Sequence, residues 1–505
     1  MKSLFQAIAL LLTISGLSPA SVEFDRVFGS HMVLPQNKPI IFSGKAESST
    51  PVTVTFAGKT VTCKPDQHQA WSASFPPQAA NAQGQTATAT QKEDKASLDD
   101  ILIGEVWIAS GQSNMLWRLN QTPSGKTEIS ESANKLLRIF HNTPQVHTNG
   151  VAYTDQEFDK LNSEKFYQGK WEISSPKSSA PYSAVAYYFA KKLQKHLGIP
   201  VGIIHSSLGG SEMAAWIPKK EINTNPAFSS MKGNQWMESK YLSNWVKGRA
   251  KQNIKNRLNS GDPEHPYKPG FLYETGIKWI TKLPVSGIIW YQGESDAEIN
   301  DSKQNAELMT RLIKTWQQDF KQKDLPFVMV QLPRINDNSP LRAFWPEFRE
   351  VQSIVAKTIP GAQLINTIDL GSGNSDVHPP EKREVGERMA NLVAERVYKK
   401  RISAQFPEMN KWIAKGNQIH ISLSHADGLK TIDGQAPACF EIAGSDGKFY
   451  PATAAIGKKR LLSLSAPEVK SPKSARYCWS TFAKPNLVNK EGLPLFPFRT
   501  NPNKQ

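Results

Sequence analysis

Hydrophobic and polar positions change rhythm twice along the chain, and these changes divide it into three parts. From residue 22 to about residue 102, short runs of alternating apolar and polar side chains are separated by turns. Val52, Val54 and Phe56 repeat every second position, Ala57-Gly58-Lys59 turns the chain, and Val61 and Cys63 continue the pattern. Trp71, Ala73 and Phe75 form a further run before Pro76-Pro77. A period of two with evenly spaced turns predicts a small, sandwich-like β-domain over residues 21–102.

Between residues 103 and 400 the period alternates between that of strands and that of helices. Apolar runs at 106–109, 201–205, 286–291, 327–332 and 363–368 read as buried strands. Residues 183–198 read as a helix: Val185, Tyr188, Phe189, Leu193 and Leu197 share a face, Ser183 can cap the start, and Gly198 with Pro200 stops it. Later helices carry Leu312, Ile313 and Trp316, then Phe348, Val351 and Val355, then Val385, Met389 and Leu392. This alternation predicts an α/β fold, a three-layer α/β/α domain on a parallel sheet. Residues 116–179 read mostly as loop. Residues 218–269 read as a Lys-rich, partly helical insertion carrying Trp236, Trp245 and Tyr267. Such an insertion is either the wall of a cleft or a solvated decoration. After residue 400 the period of two returns, at 418–423, 439–442, 461–465 and 475–480, which predicts a second β-domain over residues 401–505.

Residues 1–20 stand apart. A short positive start, an apolar stretch from Leu4 to Ile14 and the small residues Ser18-Pro19-Ala20 read as a secretory signal, giving a secreted or periplasmic protein. The apolar stretch is too short for a bilayer core of about 30 Å, and no other segment is expected to span a membrane.

Composition narrows the function. The 505 residues are 39% hydrophobic and 21% charged, which leaves ample core for several domains. The net charge of +16 reads as a Lys-rich surface or a preference for anionic glycans, and no basic stripe interleaved with aromatics points to nucleic acid. Cys63, Cys439 and Cys478 lack metal-ligand spacing, so no metal is expected. Cys439 and Cys478 are either a pair or free thiols.

Four polar blocks follow predicted strands: Gly111-Gln112-Ser113-Asn114-Met115, Gly209-Gly210-Ser211, Trp290-Tyr291-Gln292-Gly293-Glu294-Ser295, and Asp376-Val377-His378-Pro379. The carboxyl ends of parallel strands converge on one crevice, so the blocks are expected to meet. In this order they resemble the four blocks of the SGNH (GDSL-like) hydrolases, and within them the sialate O-acetylesterase family. Leu34-Pro35-Gln36-Asn37-Lys38-Pro39 and residues 489–500 are similar to that family's flanking segments, so the resemblance covers nearly the whole mature chain.

The resemblance implies a serine esterase that removes O-acetyl groups from sugars, with no cofactor. Ester hydrolysis needs a nucleophile, a base and donors for the oxyanion. Ser113 is the expected nucleophile and His378 the base. Asp376 would orient the imidazole, although it stands two residues before the histidine, where the related esterases often place the acid three before. A Ser-His dyad held by a backbone carbonyl is the alternative, and Asp369 is a weaker acid candidate. The backbone N–H groups of Ser113 and Gly209 and the side-chain amide of Gln292 are the expected oxyanion donors. Glu294 is expected to hold its loop, with Asn114 beside the substrate. An acetylated glycan is the expected partner, either a sialic acid or a polysaccharide such as xylan. A sialate carboxylate would call for an arginine, for which Arg334, Arg342 and Arg118 are candidates. The alternative of another class is an inactive glycan-binding protein.

Overall fold

The computed structural model describes residues 22–500 except 48, 259 and 260; the expected leader at 1–20 lies outside the described residues. Seven strands build the central sheet: β1 (Asp94–Gly111), β2 (Asn134–His141), β3 (Trp171–Ser174), β4 (Val201–Ser207), β5 (Gly287–Tyr291), β6 (Phe327–Val330) and β7 (Ala362–Ile365), in the order β3-β2-β4-β1-β5-β6-β7. All neighbours are parallel except β3, which closes one edge antiparallel to β2. The sheet is therefore mixed, with a parallel centre. Every residue of β4 and β5 is buried, as expected for strands covered on both faces.

Six helices are introduced here: α1 (Ser113–Leu116), α2 (Ala184–Leu197), α3 (Asn244–Asn253), α4 (Ser302–Asp319), α5 (Trp345–Thr358) and α6 (Arg383–Arg396). α2 and α6 cover one face of the sheet through Val185, Phe189, Met389 and Val393, while α4 and α5 cover the other through Leu312, Trp316, Phe348 and Val351. Ser183 caps α2 by accepting from the Ala186 N–H at 3.2 Å, and Gly198 ends it at φ 71°.

The loop expected over 116–179 contains the strands β2 and β3. Lys135 and Arg138 interrupt the apolar run of β2, but Arg138 is buried and paired with Asp100 at 2.6 Å. A neutralised charge is tolerated among the buried residues Leu137, Ile139 and Phe140 of this strand.

β1 runs through two architectures. Its first half pairs antiparallel with Asn81–Gln91 in the N-terminal sheets, and its second half forms the middle of the central sheet. In the N-terminal part Phe42 packs edge-on against Phe56 and Phe75, with ring centroids 5.2 and 6.0 Å apart. The C-terminal part has two four-stranded antiparallel sheets around Ile421, Leu462, Ile442 and Tyr477. Cys439 and Cys478 are free thiols there, with the Cys478 N–H donating to the Cys439 carbonyl. The buried Arg349 of α5 joins this part to the central sheet, donating to the carbonyls of Leu332 and Ser480 at 2.9 and 2.8 Å.

Candidate active site

The site begins where β1 stops. Gly111 has φ 140°, and a Cβ on it would stand 2.1 Å from the Tyr291 carbonyl oxygen, so any larger residue would push β1 and β5 apart. The Gln112 N–H donates to that carbonyl at 3.0 Å, and the chain turns at once into α1. Ser113 is thus the first helical residue, raised above the sheet edge. Its hydroxyl is not used as a cap; it is hydrogen-bonded to His378 Nε2 at 2.8 Å.

His378 Nδ1 lies 2.8 Å from Asp376 Oδ1, and the same oxygen accepts the His378 backbone N–H at 2.9 Å. A spacing of two residues therefore brings the acid to the imidazole, because one carboxylate oxygen takes both the backbone and the ring. An imidazole that donates from Nδ1 has Nε2 free to accept from the serine. The Asp376 side chain is 55% exposed and that of His378 30%. The Trp117 ring stacks against the imidazole, with centroids 5.7 Å apart and planes 21° from parallel.

Beneath the histidine loop, Asn114 is fully buried and joins three elements. Its Nδ2 donates to the Val377 carbonyl at 2.8 Å and to Glu294, and its Oδ1 accepts from Lys382 Nζ at 2.6 Å. Lys382 is buried, 5.5 Å from the centre of the Tyr291 ring. Burial lowers its pKa to about 7 against the opposing pull of Glu294 and Asp376. Burial likewise raises the Glu294 carboxyl. Asn114, expected beside the substrate, and Glu294, expected to hold its loop, thus both lie behind the histidine and tie its loop to the sheet edge.

On the other flank, a Cβ on Gly209 would come within 3.7 Å of Ser113 Cβ, so this loop lies directly against the serine. The Tyr267 hydroxyl holds it by donating to the Gly209 carbonyl at 2.8 Å. The N–H groups of Ser113 and Gly209 have no backbone acceptor among the described residues. Gln292 is buried beside them. Its amide nitrogen donates to the Ser211 carbonyl at 3.2 Å and to the Asp296 carboxylate, while its Oε1 has no partner among the described residues. Asp296 also accepts the Met213 N–H at 3.2 Å, and Glu212 accepts the Ser243 N–H at 2.7 Å. Burial and their mutual repulsion push the Glu212 carboxyl up to about 8, and burial pushes that of Asp296 up to about 7.

The other candidates sit elsewhere. Asp369 forms an ion pair with Arg388 at 2.6 Å. Arg342 pairs with Glu298 at 3.0 Å, and the Arg334 guanidinium lies 5.8 Å from the Phe482 ring, at the seam with the C-terminal part. Arg118 is exposed and follows the tryptophan that stacks on His378. Sequence reasoning did not single out Lys382, Glu212, Asp296 or Trp117. Glu212 and Asp296 each directly follow one of the polar blocks, the signal that could have found them.

Fold and site together define a carboxylic ester hydrolase of the three-layer α/β/α type. Residues 103–395 match the family model described as carbohydrate esterase, sialic acid-specific acetylesterase, and the chain belongs to that family. Among its relatives, the sialate O-acetylesterase of Pongo abelii is 23% identical over 409 residues, 76% of this chain and 71% of that protein. The Mus musculus sialate O-acetylesterase is 26% identical over 310 residues, 57% of this chain and 56% of its own length. A solved carbohydrate acetylesterase from Xanthomonas citri is 27% identical with a TM-score of 0.79, covering 95% of this chain and 99% of that one. No helix among the described residues is long and apolar enough to cross a membrane.

Proposed function

We propose that this protein is a secreted serine esterase that removes O-acetyl groups from sugars, sialic acids first, through an acetyl-enzyme on Ser113. The observation that carries the reading is the relay Ser113–His378–Asp376, with both side-chain contacts at 2.8 Å. Ser113 Oγ attacks the acetyl carbonyl while His378 Nε2 takes its proton. Asp376 fixes the imidazole tautomer and stabilises the imidazolium. The tetrahedral oxyanion takes the N–H groups of Ser113 and Gly209. The Gln292 amide becomes the third donor by exchanging its bond to the Ser211 carbonyl for one to the oxyanion. As the tetrahedral intermediate collapses, the bond from the acetyl carbon to the sugar oxygen breaks and His378 gives that oxygen its proton; water, deprotonated by the same base, then attacks the acetyl-serine to release acetate and restore Ser113.

A second reading, a deacetylase of a neutral polysaccharide such as xylan, is favoured by the fate of the arginines. Arg342 is paired with Glu298 and Arg334 packs on Phe482, so of the three only Arg118 is left exposed near His378 to meet a sialate carboxylate. Initial rates of acetate release from 9-O-acetylated sialoglycans and acetylated xylan, measured side by side, separate the two. The Ser113→Ala variant is expected to release no acetate from either. Turnover equal to wild type in that variant ends the serine-esterase reading.

A further inference from the structure

The insertion contributes one large aromatic that the core does not need. Trp245, on α3, is 44% exposed, while the helix buries Val246 and Ala250. It stands against the loop that flanks the serine: a Cβ on Gly210 would lie 2.3 Å from Trp245 Cζ3, while one on the preceding Gly209 would lie 3.7 Å from Ser113 Cβ. Gly210, at φ 75°, is the residue that admits both the turn and the indole. The indole rim therefore sits one residue along the chain from the backbone that touches Ser113.

Its position is fixed from several sides. The Arg249 guanidinium lies 5.3 Å from the centre of the ring, and the Tyr267 ring centroid is 5.8 Å away. Arg249 donates to the Thr148 carbonyl at 2.7 Å, and Asn253 to the Val151 carbonyl at 2.7 Å, tying α3 to the loop after β2. Tyr267 bonds both Thr148 and the Gly209 carbonyl, so wall and oxyanion loop are one hydrogen-bonded unit. An aromatic face held rigidly at the rim of a polar catalytic cleft, with a cation on its other side, suits a ring that is apolar on its faces and hydroxylated at its edge.

We infer that Trp245 is a specificity-determining residue: the exposed part of its indole is the platform on which the sugar's pyranose ring stacks while the ester carbonyl meets Ser113. The C–H groups of a sugar face pack on the indole, and the hydroxyls at its rim stay wet. This rests on the reading of Ser113 as nucleophile and assigns what holds the alcohol side of the ester.

The test compares two acetyl esters, one with a sugar ring and one without. The sugar ester is whichever of 9-O-acetyl-N-acetylneuraminic acid and acetylated xylo-oligosaccharide the wild type turns over faster; the other ester is ethyl acetate. In Trp245→Ala the ratio of kcat/KM on the sugar ester to kcat/KM on ethyl acetate is expected to fall roughly tenfold, through KM. Trp245→Leu, which keeps apolar bulk against Gly210 and Tyr267, is expected to lose the same ratio, and Trp245→Phe to keep most of it. An unchanged ratio in Trp245→Ala and Trp245→Leu overturns the inference, as does an equal loss on both esters. Acetate release by Ser113→Ala, run in the same assay, would instead overturn the reading beneath it.

Discussion

The two flanks of Ser113 are held by opposite means. On the histidine side the acid that meets the imidazole is in water: Asp376 is more than half exposed, while the loop is secured from below by the Asn114 amide, which the buried Glu294 and Lys382 hold. On the oxyanion side the polar groups are buried. Gln292 lies over Asp296, and Glu212 lies behind the Gly209–Gly210 loop with no water-facing surface of consequence. Water around a half-exposed carboxylate weakens its charge even at close range, so on the proposed mechanism Asp376 would act mainly by orienting the imidazole. A buried carboxylate sets both the direction of its neighbour's dipole and its own protonation, so Asp296 governs where the Gln292 amide points.

The largest effect is expected at Gln292. If its amide is an oxyanion donor, Gln292→Ala lowers kcat by roughly 100- to 1,000-fold with KM little changed, the loss of one preorganised donor at about 3–4 kcal/mol. A variant with kcat within threefold of wild type would leave two backbone donors as the whole oxyanion site. The opposite flank is expected to yield less. Asp376→Asn keeps an oxygen for the backbone and ring N–H groups, and the charge it removes is weakened by the water around it. A fall in kcat of about 10- to 100-fold is expected, well short of the roughly 10⁴ seen where a triad acid is buried. A fall as deep as that larger figure, measured on the same acetyl ester, would show that Asp376 acts through its charge after all.

Much of this arrangement was legible in the sequence, for a physical reason. Strand-end blocks are short, and in a parallel sheet their convergence follows from topology, so Ser113, Gly209, Gln292 and His378 could be brought together without coordinates. The helix 183–198 was legible because cap, apolar face and stop signal agreed, and it spans Ala184–Leu197. β2 was hidden because Arg138 reads as a surface residue until Asp100, 38 positions earlier, is seen beside it. Lys382 was hidden in the same way: a lysine in Glu381-Lys382-Arg383 looks solvated, and only the fold turns it inward to Asn114. The role of the insertion was left open between wall and decoration, since nothing in the run of residues around Trp245 says that Gly210 lies beneath it. Long-range pairs between polar or charged residues leave no periodic trace, whereas faces and strand ends do.

The buried acids give the smallest effect, and one that reports on stability. Burial raises Glu212 to about 8 and Asp296 to about 7, both above the ordinary carboxylate range. A folded protein that keeps these protons binds more of them than its unfolded chain, so stability falls as pH rises. The contribution is complete below about pH 4, where both states are protonated, and is lost as pH climbs through about 7 and 8. Wild-type melting temperature is therefore expected to drop between pH 5 and pH 9 by more than that of Glu212→Gln. The glutamine retains an Oε1 for the Ser243 N–H and offers Asp296 an amide in place of a second negative charge. The variant's melting temperature should exceed that of the wild type at pH 9, by about 2 °C or more, with the advantage shrinking towards pH 5. Parallel melting curves for the two proteins across this range would show instead that the pair is already neutralised by another route, and the contrast between a wet acid on one flank and buried acids on the other would lose its electrostatic basis.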